Sequence, residues 1–333
     1  MAEWKRFLKI KLPVALLCTG AGGLAGLVLL TLALVDEQSI NTWANASIAM
    51  KLARLAAPNR PPAVIISGGS GALYGLDSPY LETLTGRQVT NVSTQWQLTF
   101  YTAEKTVELV RPGDIFMMPL EYSMYGYAAG DKAPFEACYR ISHDRSSLKD
   151  LRAWGDAFVT CPSYMLLYGM FLKVLRVSLI YEREIDPLAT LNEHGDHIRN
   201  LPELGRGPNR RHAAHRISAP EGTLRLPRLE RLARAIKQRG GILAISFPAV
   251  LEPPEGKPSL PTEDVDRLKK WAADHDTIVV STPETHIFPA ECFFDQAHLH
   301  RGCTRENTRR YAEALKPLLT ATETKAGLGG SRM

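Results

Sequence analysis

Dense blocks of Lys and Arg interleaved with aromatics are missing from this chain, and with them the usual electrostatic footprint of a nucleic-acid binder. Its 40 basic and 35 acidic side chains leave a formal charge of only +5. No segment repeats, which argues against a solenoid or propeller. Loose composition is confined to ETKAGLGGSRM (323–333), which reads as a disordered tail. No cofactor is expected. What remains is ordinary globular composition, 45% hydrophobic and 23% charged over 333 residues, enough for one large domain or two small ones.

Charge is also absent locally. LPVALLCTGAGGLAGLVLLTLALV (12–35) holds none. As a helix it would span roughly 36 Å, enough to cross a bilayer core of about 30 Å. A cleaved signal peptide is the alternative, but such apolar cores run about 7–15 residues. Lys5, Arg6, Lys9 and Lys11 precede the run, and Asp36 and Glu37 follow it. The positive-inside rule then leaves 1–11 in the cytoplasm and puts the rest outside it, on a single-pass inner-membrane anchor.

Cysteine is scarce. Cys18 lies in the apolar run, and Cys138, Cys161, Cys292 and Cys303 form an even set for an oxidising compartment. Three pairings are open; Cys138–Cys161 and Cys292–Cys303 are preferred because each closes a short loop.

The body alternates strands and helices. QSINTWANASIAMKLARLAA (38–57) reads as a stalk or first helix within 36–61, ended by APNRPP (57–62). AVIIS (63–67), QVTNVS (88–93), IFMMPLEY (115–122), ILAISF (242–247) and TIVVS (277–281) read as strands. SPYLETLTG (78–86), with Ser78 as N-cap, and the segments 98–110, 225–240, 262–275 and 305–320 read as helices. This rhythm predicts an α/β domain over 62–322, a parallel sheet covered on both faces. It fails over about 123–224, read as a helical insertion. There YMLLYGMFLKVLRVSLIY (164–181) fits a core or lid helix, an interfacial helix or a second span. NEHGDH (192–197) reads as a solvated loop rather than a metal site. RGPNRRHAAHR (206–216) reads as a solvated basic loop, with acidic polysaccharide or lipid head groups as the alternative contact.

Two short stretches carry chemistry. GGSGALYGLD (68–77) follows the first strand, where ligand sites of parallel sheets lie. Ser70 between glycines fits plain turn chemistry or a nucleophile whose N–H and helix dipole face a developing oxyanion. Gly71 would let a substrate carbonyl approach the backbone. FFDQAHLH (293–300) spaces Asp295 and His298 three apart, so the carboxylate can orient the imidazole and leave its other nitrogen to take a proton.

Together, GGS (68–70) and DQAH (295–298) resemble the first and last blocks of the SGNH/GDSL hydrolase superfamily. The run from Ser67 to Ser93, with RPGDIFMMPLEY (111–122), looks closer to its membrane-anchored bacterial branch, which assists O-acylation of exopolysaccharides and cell-wall polymers. The resemblance covers about 58–122 and 240–320. It implies a three-layer, flavodoxin-like sheet, Ser70 as nucleophile, His298 as general base and Asp295 as its orienting partner. It also implies an acyl donor, a polysaccharide acceptor and a polytopic membrane O-acyltransferase as partner. Three positions depart from the pattern. Gly69 stands where an aspartate is usual, Ser93 where a glycine N–H serves the oxyanion, and Glu121 where an asparagine donates. Asn91 or a backbone group would then have to supply the missing donor. Ser93 and Glu121 favour a second class of function, a non-catalytic accessory that binds glycan or scaffolds a membrane complex.

Overall fold

The computed structural model describes residues 22–23, 26, 39–130, 133–144, 146, 149, 152–157, 159–161, 190–198, 224–253, 260–295 and 297–329. Apart from Gly22, Gly23 and Gly26, the apolar run 12–35 lies outside these residues, as do the 164–181 and 206–216 segments. Among the described residues no helix is long and apolar enough to cross a membrane. The chain divides into two compact units, Met1–Thr42 with Ala133–Glu184, and Trp43–Lys132 with Ile185–Met333.

The second unit holds the sheet. β1 (Ala63–Ile66), β2 (Gln88–Asn91), β3 (Ile115–Pro119) and β4 (Ile242–Ser246) are short runs with nearly every residue buried, as strands of a parallel sheet covered on both faces must be. A two-residue β5 (Val250–Leu251) pairs with β7 (Ile287–Phe288), and β6 (Ile278–Val279) completes the main sheet. The order is β2-β1-β3-β4-β6, every pair parallel. Counted within the sheet alone this is 2-1-3-4-5, a doubly wound order.

The helices are α1 (Ser39–Ala56), α2 (Ser70–Tyr74), α3 (Ser78–Thr85), α4 (Thr99–Val107), α5 (Met124–Ala129), α6 (Pro134–His143), α7 (Pro227–Gln238), α8 (Thr262–Asp274) and α9 (Arg301–Gly329). Alternating side chains of each strand serve opposite faces. Val64, Ile66, Ile115 and Met117 pack with Ala72 of α2, Leu81 of α3 and Tyr311, Leu315 and Leu319 of α9. Ile65, Phe116, Met118 and Ile245 pack with α4, α5, α7 and α8. α7 shows why: its buried Leu229, Leu232, Ala233 and Ile236 fall at i, i+3, i+4 and i+7, one apolar stripe. The result is a three-layer α/β arrangement.

Of the two readings of 38–57, stalk or first helix, the structure has the helix: Ala44, Ile48 and Leu55 of α1 are buried. Two expectations shift. The N-cap of α3 is Asp77, whose side chain accepts from the Tyr80 N–H, because Ser78 gives its N–H and hydroxyl to Asp196. α9 runs on to Gly329, into the segment read as a tail.

A buried ion pair fixes the amino end of the sheet. Arg60 and Asp114 meet through two hydrogen bonds of 2.9 and 2.7 Å with both side chains fully buried. Asp114 also accepts the N–H of Ala63, where β1 begins, and of Arg111, across the turn before β3.

In the first unit, Cys138 of α6 is bonded to Cys161, and both pack with Ile141 and Ala157. The pairing is the one preferred from loop length.

Candidate active site

The carboxyl ends of the strands gather the residues singled out above. β1 passes through Ser67, Gly68 and Gly69 directly into α2, which begins at the half-buried Ser70. The glycines permit close approach. A Cβ on Gly68 would lie 2.9 Å from the Ala72 Cβ, and one on Gly69 would collide with Met124 and with Glu121 Oε1. The far end of α2 is clamped by α9. Asn307 Nδ2 donates to the Gly75 carbonyl at 2.8 Å, and Asn307 Oδ1 accepts from His286 Nδ1 at 3.0 Å. Burial pulls the His286 pKa down to about 4, so the ring is neutral. Its Nε2 faces Ser246, whose hydroxyl shares a 2.7 Å bond with Ser281.

Asp295 and His298 meet as expected. Asp295 Oδ1 accepts the N–H groups of Ala297 and His298, and Oδ2 accepts from His298 Nδ1 at 2.7 Å. Burial pushes the Asp295 carboxyl up, but the His298 ring and these N–H groups outweigh it and hold its pKa below the usual value. An acceptor-only carboxylate at Nδ1 fixes the tautomer, so Nε2 carries the lone pair. That Nε2 is buried and makes no hydrogen bond among the described residues. The ring packs edge-on against Tyr74 of α2, centroids 4.9 Å apart, and is stacked with Phe294. The imidazole therefore lies beside the serine-bearing helix, against Tyr74 at the opposite end of α2 from Ser70. No hydrogen bond joins Ser70 to His298 Nε2 in this structure.

The loop is tied by Cys292–Cys303, the second preferred pairing, and by a bridge between Phe293 and Leu299. The sequence separation of 11 implies about 3 kcal/mol of stabilisation by loop closure. Replacing both cysteines by alanine is expected to lower unfolding free energy in urea by about 2–3 kcal/mol. It should also slow any chemistry that uses His298. A loss below about 0.5 kcal/mol would show that the bridge does not constrain the loop.

The oxyanion donors proposed from sequence are spent elsewhere, and this corrects the expectation. Asn91 Nδ2 donates to the Ala72 carbonyl and to Asp196, and its Oδ1 accepts the Ser93 N–H at 3.0 Å. The Ser93 hydroxyl accepts the Gly68 N–H, and its carbonyl takes the Lys51 ammonium. Both residues are fully buried. Gly71 N–H is occupied as well: it donates to Glu121 Oε1 at 3.1 Å. α2 is only five residues long, too short for a strong dipole.

No family model, curated protein or solved structure matches this chain.

Two residues escaped the sequence reading. Asp196, in the segment read as a solvated loop, is buried. It accepts from the Ser78 N–H and hydroxyl, Asn91 Nδ2 and Asn192 Nδ2, so its lone pairs are used in holding α3 to β2. Lys51, on an amphipathic stretch, is buried under Ser93. Desolvation lowers its pKa to about 7, against an opposing pull from Asp196. A depression of about 690 Å³ lined by Pro62, Arg87, Pro112, Lys237 and Thr322 lies at the amino ends of the strands, the wrong end of the sheet for this chemistry.

Proposed function

We propose that this chain is an extracytoplasmic serine acyl-transfer enzyme, an esterase or O-acetyltransferase, that works through an acyl-serine at Ser70. His298 Nε2 takes the Ser70 proton, and Asp295 holds the imidazole and stabilises the imidazolium. One observation carries the reading: His298 is fixed by Asp295 at 2.7 Å while its other nitrogen sits buried and, among the described residues, unpartnered beside α2. An orphaned buried nitrogen costs about 1–3 kcal/mol and calls for a donor, which a serine or acceptor hydroxyl would provide. The strand order, a serine after the first strand and an Asp-x-x-His before the last helix support the likeness to SGNH hydrolases. That likeness extends the proposal to an acyl-ester donor, a polysaccharide hydroxyl as acceptor and a polytopic O-acyltransferase as partner. The two disulfides suit an oxidising compartment, with residues 12–35 as anchor.

The competing reading, a non-catalytic glycan-binding or scaffolding module, is favoured by the spent donors of Asn91 and Ser93. The full-length chain treated with 4-nitrophenyl acetate separates the two. The acyl-transfer reading expects one acetyl adduct on the Ser70 peptide, absent from Ser70→Ala. Equal ester hydrolysis by both proteins, without an adduct, would leave only the accessory role.

A further inference from the structure

With Asn91 and Ser93 committed, a group beside the Ser70 turn that keeps hydrogen-bonding capacity is Glu121, which contacts the next residue, Gly71, through one carboxyl oxygen. It follows β3, the strand beside β1, and its Oε1 rests on the Gly71 N–H. Glycine at 69 is what admits it, since any Cβ there would collide with Oε1. The carboxyl thus fills the space that a side chain at 69 would need.

We infer that Glu121 is an oxyanion donor of this site: its Oε1 stays on the Gly71 N–H while a proton on the other oxygen donates a hydrogen bond to the oxyanion formed at Ser70. This rests on the acyl-serine reading above. Ser70 Oγ bonds to the ester carbonyl carbon as its proton passes to His298 Nε2. The C=O electron pair moves onto oxygen, where the Glu121 hydroxyl meets it. The pair then returns and the bond to the leaving group breaks. A sugar alkoxide leaves with the His298 proton; 4-nitrophenolate leaves as the anion, and the proton goes to solvent. In deacylation, the oxygen of water or of a sugar hydroxyl bonds to the acyl carbon as its proton passes to His298, the acyl carbon–Ser70 Oγ bond breaks, and Oγ takes that proton back.

The surroundings favour the protonated form. Burial raises the Glu121 pKa, opposed by the Gly71 N–H and by His298. The titratable groups that face it are His298 from the Cys292–Cys303 loop, Tyr311 from α9 and its neighbour Tyr122. No Lys or Arg among the described residues pairs with it. The sign follows: Glu121 must keep its proton, so activity falls as pH rises through its raised pKa, and a glutamine, which donates at every pH, removes that decline.

Full-length wild type, Glu121→Ala, Glu121→Gln and Ser70→Ala are compared in acetylation of Ser70 by 4-nitrophenyl acetate across pH. Removing one oxyanion donor typically costs about 10²–10³-fold. Glu121→Ala is expected to lose that much, and Glu121→Gln to recover most of it without the alkaline decline. Carboxyl carbon NMR of wild type, assigned by the resonance missing in Glu121→Gln, should show Glu121 titrating above the ordinary value of about 4.3. Glu121→Ala as fast as wild type or faster, with Ser70→Ala inactive, overturns the inference and leaves the acyl-serine reading standing. So does a Glu121 carboxyl that titrates in the ordinary range. Wild type with no Ser70-dependent acetylation overturns both.

Discussion

Ser70→Ala and His298→Ala are each expected to slow acyl transfer by about 10⁴-fold or more, and the double variant no further. The reason lies in the shared proton. His298 Nε2 has no partner among the described residues and Nδ1 is locked by Asp295, so the ring has one free function, to accept a proton on the side of α2. Serine is a weak nucleophile at neutral pH without a base, and a base without the serine has nothing to activate. Removing either removes the same transition-state stabilisation, about 5.5 kcal/mol for a factor of 10⁴. Single-turnover acetylation followed by mass spectrometry measures this. Losses that multiply in the double variant would mean that the two side chains act in separate steps, and the proposed pair would be abandoned.

The second large effect is on stability. Asp114→Ala should cost about 3–5 kcal/mol in urea unfolding, because it strands the fully buried Arg60 guanidinium without its counter-charge. It also orphans the Ala63 and Arg111 N–H groups that start β1 and close the turn before β3. Against a typical total of about 5–15 kcal/mol this threatens the fold. An Arg60→Met/Asp114→Leu double variant should be milder than Asp114→Ala, since no buried charge is left unpaired. A loss under about 1 kcal/mol for Asp114→Ala would show that water or a rearranged partner reaches Arg60.

Much of this was legible in the chain. Short apolar runs such as AVII and IFMMP mark buried parallel strands whatever their neighbours, and they emerged as β1 and β3. Asp295 and His298 lie three apart, so their contact is local and needs no tertiary knowledge. The cysteine pairs were equally local. What escaped depends on distant partners. Asp196 looked solvated because the groups it binds, Ser78 and Asn91, lie more than a hundred positions upstream. The same bonds moved the cap of α3 from Ser78 to Asp77. Lys51 on its own helix gives no sign that Ser93 closes over it. Strands of two residues, β5 and β7, are too short for any period to show.

The clamp on α2 has a consequence for biosynthesis. Gly75 is held by Asn307 and Asp77 by Thr308, contacts spanning 232 and 231 positions. Pairings so distant in sequence are late and slow to form. A nascent polypeptide stalled before residue 307 has made Ser70 but not the brace at the far end of its helix, so α2 is seated only after Asn307 and Thr308 have emerged.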